Sequence, residues 1–406
     1  MNSGDTAWLL ISSALVMLMT PALGFFYGGL VRKKNVLATI MHSFFVLCLI
    51  SVQWVLWGYT LAFGPDHWGI IGGLDWLGLQ GVGLAPSKVY APTVPHEAFM
   101  LFQMMFAIIT PALISGAFAE RKRFKSFVFF SLLWATLVYD PVAHWVWGQG
   151  GWLHQLGFLD FAGGTVVHIS SGAAALVAAL VLGERIGIRD EAIEPHDATM
   201  TVLGASLLWF GWFGFNAGSA ITAGTLAVTA FVTTNTAAAM GALTWTTISW
   251  WHKGQPSVLG AAAGAVAGLA TVTQAAGYIT VPSAILIGLL AGAACYFAVQ
   301  LKPHLRVDDA LDVFGVHGVG GLLGALSTGL FASVAVNAAG ANGLFYGNPR
   351  QLLIQAIGAA AVFAYSAIVT FVILKVLDFA FGLRVPEDEE LAGLDASQHG
   401  ELAYQL

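Results

Sequence analysis

Two histidines in the sequence each follow an aspartate at the same distance: His168 lies eight residues after Asp160, and His317 eight residues after Asp309. In both segments a valine precedes the histidine and a glycine, Gly172 or Gly321, stands four residues beyond it. Each histidine sits in a long apolar run, where a polar ring is costly unless it lines a cavity or finds a partner. Two neutral imidazoles in contact can share one proton and expose a donor or acceptor edge to a small polar solute. One such ring alone is as readily a satisfied structural group, and His42 and His144 are reminders of that. A pair related by spacing points to the lining of a passage.

Other residues suit a small cation. Aromatic side chains recur at Phe102 and Phe106, at Trp145 and Trp147, and at Trp212, Phe213 and Phe215. Ring faces hold a cation with about 0.5–2 kcal/mol per contact when it is poorly hydrated, and a hydroxyl such as Ser219 can accept its hydrogen bonds. Asp160 is expected at a helix N-terminus, where a carboxylate accepts backbone N–H groups. Even as a plain cap it leaves negative charge beside a vestibule and favours a cation over an anion. Cys/His metal spacing, a Walker loop and a nucleophile elbow are all absent from the sequence, so no catalytic residue, metal or cofactor is expected and the chain does not read as an enzyme.

The elements that position these residues are membrane helices. Of 406 residues, 57% are hydrophobic and 9% charged, against about a quarter charged in soluble domains. Eleven apolar runs are long enough to span a bilayer, at about 7–31, 36–63, 96–118, 126–148, 162–183, 199–222, 225–250, 258–277, 282–301, 310–335 and 350–379. The basic residues alternate with them: all but Lys88 and Arg350 of the 16 follow odd-numbered spans. The excess of positive charge on one side predicts an N-terminus outside and a C-terminus in the cytoplasm. The first run has Asp5 and no basic residue before it, which reads as a retained helix and not a cleaved signal. Cys48 and Cys295 read as small core residues.

The two Asp-to-His segments open the fifth and tenth runs. A second correspondence, Gly24-Phe-Phe-Tyr-Gly28 against Gly214-Phe-Asn-Ala-Gly218, links the first and sixth. Partners five spans apart cross the membrane in opposite directions, the mark of an inverted-topology repeat. The predicted fold is therefore an all-α integral membrane protein with repeats over 7–183 and 199–335, an eleventh helix at 350–379, and a cytoplasmic tail over 381–406. In such folds the substrate path lies between the halves near the bilayer midplane, where His168 and His317 can meet.

At this point the sequence resembles the ammonium transporter (Amt/Rh/Mep) family, in its bacterial or archaeal Amt branch. The resemblance spans nearly the whole chain and is carried by Gly24-Phe-Phe-Tyr-Gly-Gly29, Phe102-Gln-Met-Met-Phe106, Gly116-Ala-Phe-Ala-Glu-Arg121, Asp160 to His168, Gly211-Trp-Phe-Gly-Phe-Asn-Ala-Gly-Ser219, and Asp309 to His317. It implies an outer ammonium site at Phe106, Trp147 and Ser219 supported by Asp160, a gate of Phe106 and Phe215, a pore at His168 and His317, and a mid-path position at Thr273. Trp147 requires a loop one residue longer than the family spacing, which leaves Trp145 as the alternative.

The resemblance further implies transport of ammonium or ammonia, with methylammonium as analogue, by a homotrimer in the cell membrane. The tail motif from Gly382 to Glu401 resembles the family's regulatory tail, with a PII-type signalling protein as partner; the plain reading of so acidic a tail is a solvated segment. Nucleic acid is not an expected partner. The competing reading is an ammonium sensor on the same scaffold, and a tail of about 25 residues favours transport. A channel for carbon dioxide, urea or water would not need the cation-recruiting trio.

Overall fold

The computed structural model describes residues 1–189 and 193–404. It is mainly helical. Among the described residues, ten helices are long and apolar enough to cross a membrane: α1 (Ser3–Leu30), α2 (Lys33–Phe63), α3 (His96–Phe118), α4 (Phe124–Leu156), α5 (Gly164–Leu182), α6 (Ala198–Gly218), α7 (Thr225–Lys253), α9 (Val281–Leu305), α10 (Phe314–Phe331) and α11 (Pro349–Phe381). Between α7 and α9 lies the shorter α8 (Val258–Val272). Bilayer burial explains the helices, since only internally satisfied backbone is stable in hydrocarbon. Side-chain caps start α1, α6 and α8, where Asn2 accepts from Asp5 N, Asp197 from Met200 N, and Ser257 from Gly260 N.

The eighth apolar run was expected to continue to residue 277, but its helix stops at Val272. The chain turns there so that the carbonyl of Gln274 can accept the N–H of Phe161 at 3.0 Å, across from the loop that holds Asp160. Cys295 is buried, whereas Cys48 is exposed on the outer surface of its helix, contrary to its reading as a core residue.

Helices five apart in order lie against each other: α1 packs along α6, and α5 along α10. The second contact is reciprocal. A Cβ on Gly172 of α5 would fall 2.2 Å from the Cα of Gly318, and one on Gly321 of α10 would fall 2.9–3.0 Å from Ile169 and the carbonyl of Gly164. Each glycine thus stands four residues past its own histidine and touches residues beside or before the other. Such approach needs small residues. Both histidines also sit on π-helical turns, Gly164–Ile169 and Phe314–Gly318, a local widening frequent at functional sites.

One face of the bundle carries the segment between α2 and α3, folded as two small hairpins, Asp66–His67 with Ile71–Gly72 and Pro86–Ser87 with Ala91–Pro95. His144 anchors it, with one ring nitrogen on the carbonyl of Ala62 and the other 2.9 Å from Asp66. This is the loop face.

The opposite, basic face gathers Arg32, Arg121 and Arg185 around two buried carboxylates. Arg185 bridges Glu120 and, through two nitrogens, Asp308, with contacts of 2.8–2.9 Å. Burial pushes both carboxyls up, but Arg185 with Arg32 at Glu120, and Arg185 with Arg121 at Asp308, outweigh it and hold both below the ordinary carboxylate range.

The tail is docked on this face. Residues 383–385 bond to the backbone of Arg121 and Arg123, and two short helices follow, α12 (Glu387–Ala392) and α13 (Leu394–His399). Glu390 binds Arg384 and accepts from Ile186 N, and Asp395 accepts from Leu37 N and Ala38 N at the start of α2. Both carboxylates are 1% exposed, so the acidic tail is packed and not simply solvated.

Candidate functional site

Three cavities line up from the loop face to the basic face. The first, about 190 Å³, is bounded by Phe106, Trp147, Asp160 and Ser219 among others. The second, about 10 Å³, lies between His168, His317, Phe215 and Trp212. The third, about 200 Å³, opens on the basic face and shares His317, Phe26 and Val266 with the second. The middle one holds about one water-sized molecule.

The first cavity brings together the residues expected from sequence. The Trp147 ring meets Phe106 edge-on, with centroids 5.9 Å apart. The Trp147 indole N–H donates to the carbonyl of Asp160 at 3.0 Å, which fixes the ring against the cavity. Trp145 turns away, donating to Ile70 O and packing on Trp152 and Tyr365. Ser219 donates to the carbonyl of Phe215 at 2.9 Å, so its lone pairs remain to accept from a solute.

Asp160 is the cap that its position predicts. Its Oδ1 accepts from Gly163 N and Gly164 N, and its Oδ2 from Thr165 N and Val166 N, at 2.7–3.2 Å. Gly163 takes a left-handed φ of 102° to make this turn, a conformation that costs glycine little. The carboxylate thereby starts α5 and contributes negative charge to the cavity wall.

Between the first and second cavities the rings of Phe106 and Phe215 touch, centroids 4.3 Å apart. Beyond them the rings of Phe215, Trp212 and His317 pack around His168 at 6.0, 5.5 and 5.1 Å, all within 27° of parallel. Thr273 lines none of these three cavities. It accepts the Trp212 indole N–H at 2.9 Å and donates to Leu269 O, so it holds the ring that packs on His168.

The two histidines face each other through Nδ1, 3.1 Å apart. Only one proton fits between two such nitrogens. The ring that carries it at Nδ1 has a bare Nε2, and its partner, accepting at Nδ1, carries its proton at Nε2. The pair therefore offers one donor and one acceptor edge. Nε2 of His168 is buried without a partner among the described residues. His42, by contrast, is packed among Phe118, Phe124 and Phe127, far along the chain from either motif.

Sequence reasoning missed the glutamines that hold the Asp160 loop. Gln274 accepts from the Thr165 hydroxyl and donates to Leu159 O, and Gln355 of α11 bonds both backbone groups of Leu159. The available signal was an amide inside an apolar run, which is stable only if its groups are bonded.

A family model described as Ammonium Transporter Family matches residues 7–404. The chain is 54% identical over 407 residues to an ammonium transporter of Bacillus subtilis, covering 100% of this chain and 99% of that one. It is 49% identical over 404 residues to the ammonium transporter Amt1 of Archaeoglobus fulgidus, covering 100% of both. Its fold is similar to a crystal structure of Saccharomyces cerevisiae Mep2, with TM-score 0.93, 40% identity, and coverage of 100% of this chain and 92% of that one.

Proposed function

The chain belongs to the ammonium transporter family, and on that premise we propose that it carries ammonium or ammonia across the cell membrane through the three aligned cavities. The observation that carries this reading is the unbroken series of Phe106, Phe215, His168 and His317 between the two larger cavities. The positive-inside rule assigns the basic face to the cytoplasm and the loop face to the outside. The reciprocal contacts of Gly172 and Gly321 support two inverted halves with α11 outside the repeat.

In this mechanism the outer cavity recruits the cation. Ammonium is protonated at neutral pH, as a Lys side chain is. The faces of Phe106 and Trp147, the Ser219 oxygen and the charge of Asp160 replace part of its hydration. A bare charge in the narrow apolar segment would cost several kcal/mol, so ammonium gives up its proton at the outer cavity, that proton either returning to the outside solvent or following separately along the histidines, and neutral ammonia passes the Phe106–Phe215 gate. The histidine pair then offers it one acceptor and one donor in turn, and Thr273 acts by keeping Trp212 against His168. Potassium satisfies the ring faces but has no proton to release, and is excluded.

The family resemblance supports a homotrimer, and the docked tail is the candidate surface for a PII-type partner. The deciding experiment is an ammonium jump on proteoliposomes of the purified protein, recording current and internal pH, with methylammonium and potassium jumps as comparisons. An inward current specific to ammonium and methylammonium means the proton follows along the histidines. Alkalinisation without current means ammonia passes alone. Ammonium binding with neither response would overturn transport in favour of a sensor.

A further inference from the structure

We infer that Gln355 is a positioning residue for cation recruitment, acting from α11 on the Leu159–Asp160 backbone and through it on Trp147; this rests on the transport reading above. The Gln355 side chain pairs with Leu159 as a neighbouring strand would, its Oε1 accepting the N–H at 2.9 Å and its Nε2 donating to the carbonyl at 2.7 Å. Gln351, one turn earlier, donates to that same Oε1 at 3.2 Å and to Gly157 O at 3.0 Å. Two donors converging on one atom fix it as the oxygen and lock the amide in place.

What is held is the residue that precedes Asp160, whose carbonyl in turn takes the Trp147 indole N–H. One turn beyond Gln355, a Cβ on Gly358 would fall 2.3 Å from the Phe158 ring, so α11 follows the loop from residue 157 to 159. Gln355 is fully buried, and an unbonded amide there would be costly. Satisfying buried loop backbone explains that a polar group is present. It does not require that the grip fall on Leu159, the residue directly before the Asp160 whose side chain caps α5 and whose carbonyl holds Trp147, and the recruiting geometry does.

The test is methylammonium uptake by proteoliposomes containing the full chain, comparing wild type, Gln355→Met, Trp147→Leu and the double variant. Loss of both hydrogen bonds to Leu159, along with the one from Gln351, in Gln355→Met should raise the half-saturating methylammonium concentration about tenfold, with the maximal rate changed less than about twofold. Because the two residues act on one geometry, the double variant should fall short of the product of the single effects. Gln351→Leu, with one fewer bond on the amide, should shift half-saturation in the same direction by about threefold, and carries the test if Gln355→Met does not fold. Unchanged half-saturation in the folded variants, a fall in maximal rate alone, or full multiplicativity with Trp147→Leu would overturn the inference. No uptake by the wild type would instead defeat the transport reading on which it rests.

Discussion

His168 and His317 meet nitrogen to nitrogen, 3.1 Å apart at Nδ1, and the backbones that carry them touch close by, at Gly172, four residues past the first, and Gly318, next to the second. The spacing of the rings is thus set by main-chain contact and not by the flexibility of either side chain. Removing one ring leaves its partner with an unpaired Nδ1 in a narrow cavity walled mainly by apolar side chains.

Replacing either histidine should therefore change conduction, not simply trim it. His168→Ala and His317→Ala are each expected to reduce ammonium flux at least about tenfold or to alter its ion selectivity, since an orphaned buried polar group costs about 1–3 kcal/mol. Wild-type current and selectivity in both variants, measured in proteoliposomes, would refute the pore assignment.

Trp147→Leu removes one ring face and one hydrogen bond from the outer cavity while leaving the Phe106–Phe215 contact and the histidines in place. Half-saturation for methylammonium should rise by about three- to tenfold, in line with one cation–π contact, at nearly unchanged maximal uptake. A concentration series on the purified variant checks this.

Gly172→Val and Gly321→Val each push a side chain into the opposite helix. Both should lose stability by at least about 3 kcal/mol or fail to fold, overpacking being costly where no atom can yield. Gly347→Val has open space at the Cβ but a positive φ of 88°, so it should cost only about 1–2 kcal/mol of backbone strain. Thermal melting followed by tryptophan fluorescence ranks the three.

The basic face should be sensitive to acid. Glu120 and Asp308 are held below ordinary carboxylate values by Arg185, Arg32 and Arg121, so the folded chain binds these protons less readily than the unfolded chain. Their contribution is fully present above the ordinary carboxylate range of about pH 4 and is lost as the pH falls through the lowered values. Melting temperature should be flat from neutral pH down to about pH 5 and drop below about pH 4. Asp308→Asn should melt lower at neutral pH and show a shallower acid decline.

Spacing made His168, His317 and Asp160 legible in the sequence, and motif resemblance did so for Phe106, Trp147, Phe215 and Ser219. All of these line the aligned cavities. Facing was not legible. Membrane helices are apolar on every side, so their periodicity carries little contrast between core and lipid, and the sequence pattern points Cys48 inward whereas the fold exposes it. The end of α8 at Val272 and the grip of Gln355 depend on a loop more than a hundred residues away in the chain, which no local pattern encodes. The tail's charges averaged to a solvated segment because composition does not reveal that Glu390 and Asp395 have partners waiting in Ile186, Arg384 and the first turn of α2.

The contact between Phe106 and Phe215 also bears on speed. On the proposed route, with the rings touching and room for about one small molecule behind them, each passage has to displace aromatic side chains in a packed interior. Throughput is then counted in ring swings, one solute at a time, and cannot reach the flow of a continuously open aqueous pore. Flux through this protein should climb steeply with temperature, as a thermally driven latch does, where diffusion along an open water column would climb only gently.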